Sequence, residues 1–354
     1  MAVLSFYTLQ TLPEVPYSAL GAEITQDYDE RASIGATRNV FYVFSMLISN
    51  IMMSVVVFFD GLTDNMELSW SITGGLYGIL VIVSILIAFH TTKGYELVRV
   101  GDVQKFSPKN MFVEPFKNRT FRFVTGLFAF AIVGFSTLAT TTVYYFLNVF
   151  KFDENQLSTL LVAFTLVGFV GVPWADFLSK KYSKKVSWIV SMSLWAAGFL
   201  IYPLFVFNYS RSMTALVGFI IVAGIGFNVL FQIIWSMIPD CVEVDEFKSG
   251  KRREGMYYGV ISFTQKLCSA IAIALVGIVL EHIGYDATLS TQAPETLKGL
   301  SNFYGWGVVI PVIVALIIGA LNPMTRERHS QLLNAIQRKR NNEAYPMEGL
   351  EKIL

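Results

Sequence analysis

The chain has 354 residues, 54% apolar and 15% charged, with a formal net charge of +1 and a mean hydropathy of +0.53. Soluble domains carry about 25% charged residues, so the composition excludes a soluble enzyme, and the even charge balance gives no footprint for nucleic acid. The apolar residues fall in unbroken blocks of roughly 20, the length an α-helix needs to cross a bilayer, which excludes a barrel of short alternating strands.

Apolar windows read against their charged flanks predict nine spans, near residues 2–24, 38–59, 69–90, 120–149, 157–178, 187–207, 213–238, 256–281 and 303–321. The first carries Pro13, Glu14 and Pro16 and follows Met1 without a basic region, so it reads as a span and not as a cleavable signal. The two cysteines, Cys241 and Cys268, give neither a disulfide framework nor a metal-ligand spacing. His90, His282 and His329 lie apart with no carboxylate at ligand spacing, and each reads as an interfacial residue.

Basic residues crowd alternate loops: Arg31 and Arg38, Lys93 to Arg122, Lys180 to Lys185, Lys248 to Arg253, and Arg326 to Arg340. The intervening loops hold only Lys151, Arg211 and Lys298. The positive-inside rule then places the basic loops and the C-terminus in the cytoplasm, in a multi-pass protein of the inner (plasma) membrane. Residues 1–92 read as a partial N-terminal bundle, 93–119 as a cytoplasmic linker, 120–322 as a six-helix C-terminal bundle and 323–354 as a cytoplasmic tail. In the tail, Leu332, Leu333 and Ile336 oppose Arg328, Gln331, Arg338 and Lys339, the pattern of a helix lying on the inner leaflet. Gly168, Gly171, Gly224 and Gly226 permit close helix packing or bending.

An ionisable side chain at the centre of a span costs about 2.5 to 3.5 kcal/mol on insertion scales, so each one present needs a reason. Glu14 lies between two helix-breaking prolines, and Lys266 lies eleven residues into the eighth span beside Thr264 and Gln265. An acid and a base on separate helices can pair across a cavity, and bent helices at mid-membrane are where transporters build solute sites. Two charged hinges, GAEITQDYDERASIGATR with Asp27 and Arg31, and IPDCVEVDEFKSGKRREGMYYG with Asp240, Glu243, Arg252 and Arg253, read as paired inner gates.

The stretch LPEVPYSALGAEITQDYDER followed by GATR, and the later IPDCVEVDEFKSGKRREGMYYGVISFTQK, resemble the fourth-helix and tenth-to-eleventh-helix signatures of the glycoside-pentoside-hexuronide:cation symporters, the melibiose-carrier branch of the major facilitator superfamily. The resemblance implies an all-α integral membrane fold, a major facilitator-like helical bundle of about nine transmembrane helices. It also implies cation-coupled symport of a sugar or glycoside by alternating access, with sodium or a proton as the coupling ion and no cofactor. It assigns Glu14, Arg38, Phe231, Ser262 and Lys266 to the substrate and cation cavity, and Asp240 and Glu243 to the inner gate. Where melibiose carriers stack a tryptophan on sugar this chain has Ser18, with Tyr17 beside it. Family members have twelve helices, so the resemblance further implies that helices one to three are missing here, to be supplied by an upstream segment of the reading frame or by a partner chain. Two alternatives stand beside this reading, a lysophospholipid-type lipid symporter and a non-transporting membrane subunit.

Overall fold

The computed structural model describes residues 9, 17, 37, 40–42, 44–94, 108–206, 213–227, 229–250, 253–289, 291–345, 347 and 349–354. The first expected span, residues 2–24, therefore lies almost wholly outside the described residues. Seven helices among the described residues are long and apolar enough to cross a membrane: Val40–Thr63, Met66–Thr92, Arg119–Phe150, Glu154–Lys181, Leu216–Ser249, Glu254–His282 and Pro294–Leu321. Each overlaps an expected span and runs past at least one of its ends.

The chain divides into two compact units, Met1–Phe106 and Ser107–Leu354. In the first, α1 (Met52–Thr63) ends at Asp64 in the left-handed conformation, and Asn65 then caps α2 (Met66–Thr92) by accepting a hydrogen bond from the Leu68 amide. The two helices form a hairpin tied by Tyr77 Oη donating to the Ile48 carbonyl at 2.5 Å. Thr63 and Ser69 share a hydroxyl contact of 2.9 Å at the turn.

The second unit holds α3 (Pro108–Phe116), α4 (Arg119–Tyr145) with a π-helical turn at Phe146–Phe150, α5 (Glu154–Lys181), α6 (Lys184–Val206), α7 (Met213–Phe227), α8 (Val229–Ser249), α9 (Glu254–His282), α10 (Pro294–Leu321), α11 (Arg326–Arg340) and a 3₁₀ turn at Leu350–Lys352. Helix starts follow capping chemistry: Asn118 accepts from the Phe121 amide, and Asp153 with Gln156 forms a reciprocal capping box. Lipid offers no hydrophobic drive between helices, so α6 and α7 associate through small residues that let backbones approach. A Cβ added at Gly226 would lie 2.6 Å from the Ser191 carbonyl oxygen, and one at Gly171 2.5 Å from that of Ile225. An aromatic core closes the other end of α4, where Tyr145 stacks on Tyr304 with ring centroids 4.3 Å apart.

Within the segment expected as a linker, Pro108–Phe116 is helical, and α3 packs on α9 through the rings of Phe112 and Phe263, 5.1 Å apart. One expectation is corrected. The tail does not present its whole apolar face to a leaflet, because Leu332 and Ile336 are buried in a cluster with Val244 and Phe247 of α8 and with Met324, Leu350 and Ile353. Leu333 alone of the three expected apolar positions stays exposed. The end of α8 offers an apolar surface that covers this face of the helix.

Candidate functional site

On α9, Ser262, Lys266 and Ser269 recur at intervals of four and three residues, so they share one helix face. Ser262 and Lys266 are partly buried, and Ser269 accepts a hydrogen bond from Ser136 of α4 at 2.9 Å. Phe263, Leu267 and Ile271 lie exposed on other sides of the helix. The helix thus carries a polar stripe directed toward α4 within an otherwise apolar, outward-facing surface. Thr264 is turned inward on its own helix, donating to the Val260 carbonyl at 2.8 Å.

A second set of polar groups gathers where α8 ends. Pro239 inside the helix removes one backbone donor just before Asp240. Asp240 is 6% exposed and meets the Lys184 ammonium of α6 at 2.6 Å, while the same ammonium donates to the Ser236 carbonyl at 2.7 Å. His329 of α11 places Nε2 at 2.7 Å from Glu243 and 3.5 Å from Asp240. The hydrogen bond to Glu243, helped by the Asp240 charge, raises the His329 pKa above its ordinary value against the opposing effects of burial and Lys184.

One turn further, Asp245 receives a two-pronged contact from Arg253, Nε at 2.8 Å and Nη2 at 2.6 Å. Both side chains are largely buried, and Arg253 reaches Glu114 of α3 at 3.7 Å. The Lys117 ammonium, 2.5 Å away, holds the Glu114 carboxyl below the usual range. Asn118 donates to the Cys241 carbonyl at 2.8 Å, joining the start of α4 to the same place. Arg340 pairs with Glu246, and Lys339 donates to the Phe247 carbonyl at 2.6 Å. The starts of α4, α6 and α9, the end of α8 and the tail therefore meet at one end of the second unit through charge and hydrogen bonding.

Of the residues singled out in the sequence, Ser262 and Lys266 share the α9 stripe, and Asp240, Glu243 and Arg253 share the charged end. Phe231 lies in α8, with its side chain outside the described residues, and Tyr17 is helical and about half exposed. Glu14, Asp27, Arg31, Arg38 and Arg252 lie outside the described residues. His329, which reads in the sequence as an interfacial residue with no carboxylate at ligand spacing, meets carboxylates of α8 in space, Glu243 standing 86 positions earlier in the chain. Lys184 was also not foreseen; its signal in the sequence was a lysine at a helix start, where a cation is unfavourable unless an acid compensates it. Ligating atoms of Asp240, Glu243 and His329 lie within 4.8 Å of one another, close enough to hold a metal ion. Lys184, however, already occupies an oxygen of Asp240, and two cations balance the two acids whenever His329 is protonated.

The family model described as "MFS/sugar transport protein" matches residues 1–326. An uncharacterized symporter of Synechocystis is 30% identical over 237 residues, covering 64% of this chain and 42% of that protein. A putative sulfoquinovose importer of Escherichia coli is 26% identical over 339 residues, covering 94% of this chain and 70% of the relative. The isoprimeverose transporter of Lactiplantibacillus pentosus is 24% identical over 311 residues, 86% of this chain and 62% of its own length. The chain thus spans between 42% and 70% of the length of these relatives. These are transport proteins and not enzymes, and the apolar helices above are of the multi-pass kind such proteins use. With a match that runs through every membrane-spanning helix, this chain belongs to the MFS/sugar transport protein family.

Proposed function

We propose that the protein moves a sugar or glycoside across the membrane by cation-coupled symport, through alternating exposure of a central site. The observation that carries the reading is the α9 stripe of Ser262, Lys266 and Ser269, in which an ammonium sits at mid-helix beside hydroxyls where an insertion cost has to be offset by function. Hydroxyls and an ammonium donate hydrogen bonds to sugar oxygens, and the polar face turns toward α4. In this reading Glu14, Tyr17, Arg38 and Phe231 complete the cavity, and Glu14 or an oxygen-rich site accepts the coupling proton or sodium. By the family resemblance Asp27, Arg31, Asp240, Glu243, Arg252 and Arg253 serve as inner gates, and in this reading the charged end of α8 faces the cytoplasm, as does the C-terminus. The names of the relatives support a sugar-type substrate, since one is a putative sulfoquinovose importer and another an isoprimeverose transporter.

The test is uptake of labelled glycosides into vesicles containing the protein, with and without a sodium or proton gradient. Gradient-driven accumulation is expected for the unaltered chain and should disappear in Lys266→Ala and in Glu14→Gln. Accumulation unchanged in both variants would refute the site, and accumulation indifferent to either gradient would refute the coupling.

A further inference from the structure

Three cations at the charged end of the second unit have no acidic partner among the described residues. Lys185 donates to the Asn322 carbonyl at 2.8 Å, Arg326 to the Lys180 carbonyl at 2.8 Å, and Arg328 to the Pro323 carbonyl. Asn322 and Pro323 are consecutive, so their carbonyls hold the Lys185 ammonium and the Arg328 guanidinium side by side, where the two like charges repel. Placement makes matters worse within the chain itself. Lys185 stands in the first turn of α6, and Arg326 and Arg328 in the first turn of α11, where the helix field disfavours positive charge.

Lys180 and Lys181 close α5 next to this group. Among the described residues these five cations make one ion pair, that of Lys180 with Asp176 at 2.6 Å, and Glu327 is the acid between Arg326 and Arg328 in the sequence. The same rim carries exposed Trp174, Phe177 and Tyr182, and the Lys181 ammonium rides over two of these rings, 5.3 Å from Phe177 and 5.4 Å from Tyr182. Exposed aromatic rings beside basic side chains, at the end of apolar helices, mark the depth of the lipid headgroups. An arrangement that is repulsive within the protein becomes favourable when an anion enters between the cations from outside.

We propose that Lys185, Arg326 and Arg328, flanked by Lys180 and Lys181, form a binding site for the phosphate of one anionic phospholipid headgroup at the junction of α5, α6 and α11. Basic pockets between membrane helices are suited to such headgroups. Because α11 buries Leu332 and Ile336 against the end of α8, a lipid bridging Lys185 of α6 to Arg326 and Arg328 fastens the tail to the bundle. The site is separate from the polar stripe of α9 and does not depend on which solute is carried.

The test uses the full chain purified in detergent, with phosphatidylglycerol binding followed by native mass spectrometry. Phosphatidylcholine and inorganic phosphate serve as separate arms. Phosphatidylglycerol is expected to remain bound, phosphatidylcholine not, and millimolar phosphate should fail to displace the lipid. Replacing three interfacial charges in Lys185→Gln/Arg326→Gln/Arg328→Gln should weaken phosphatidylglycerol binding by at least about tenfold. The control Lys298→Gln, a cation at the opposite end of α10, should leave binding unchanged. Arg326→Gln alone, which removes an exposed side chain held only by a carbonyl, should lower retention partially, and it serves if the triple variant loses its helicity. Equal phosphatidylglycerol binding by the variants, equal retention of phosphatidylcholine, or displacement by phosphate would each overturn the proposal. None of these outcomes depends on transport, so failure here and failure of the symport reading are distinguishable.

Discussion

At the scale of single residues, His329 has the most to say about pH. It bridges Glu243 at 2.7 Å and Asp240 at 3.5 Å, and Lys184 is the only cation among the groups described as facing it. Its folded pKa is raised above the ordinary 6.5, so the protonated form stabilises the fold. That contribution is complete below the ordinary value and fades as pH rises through the higher folded value. Melting of the purified protein between acid and alkaline pH should therefore show unaltered chain and His329→Gln far apart at the acid end and converging at the alkaline end. A constant gap across the range would mean that His329 is not titrating in this contact. The residue shows where sequence reading runs out: its carboxylate partners are distant in the chain, and spacing rules see only neighbours. Asp240, Glu243 and Arg253 were legible because charge crowded next to an apolar helix is visible in the sequence itself.

At the scale of elements, most helices were legible and their terminations less so. Twenty apolar residues between polar flanks can satisfy their backbone in a bilayer only as a helix, which is why the expected and observed spans coincide. The short helix α3 and the docking of α11 were not legible, since both depend on a surface formed by other helices. The glycines give an element-scale prediction. At Gly226 an added methyl would meet the Ser191 carbonyl and the Trp195 amide nitrogen, both 2.6 Å away and both backbone atoms that cannot swing aside. Gly226→Ala should force α6 and α7 apart and destabilise the protein by about 1 to 3 kcal/mol. Gly218→Ala, with nothing within 4 Å of the added atom, should be neutral. The comparison is read from thermal unfolding in detergent, and equal melting of the two variants would contradict the close crossing.

For the whole molecule, the placement of charge carries the argument. The second unit brings Lys180 to Lys185, the end of α8 and the start of α11 together through Lys184 with Asp240 and Lys185 with Asn322, while Lys151 follows the π-helical turn after α4 and Lys298 lies near the start of α10, at the far ends of those helices. The orientation proposed above, which follows the positive-inside rule, has the crowded end in the cytoplasm. Alkaline phosphatase, active only outside the cytoplasm, should be silent when fused beyond Leu354, and a fluorescent protein at the same position should glow. An active phosphatase there would invert the topology and, with it, the side on which the proposed gate opens.

The geometry around Leu354 bears on how that fusion is built. The Thr120 hydroxyl donates to the Ile353 carbonyl at 2.9 Å, Lys248 grips the Leu354 carbonyl, and Leu350 and Ile353 are buried. A reporter or purification handle joined directly to this stitched segment would tug on α4 and α8 together, so a flexible spacer belongs between them.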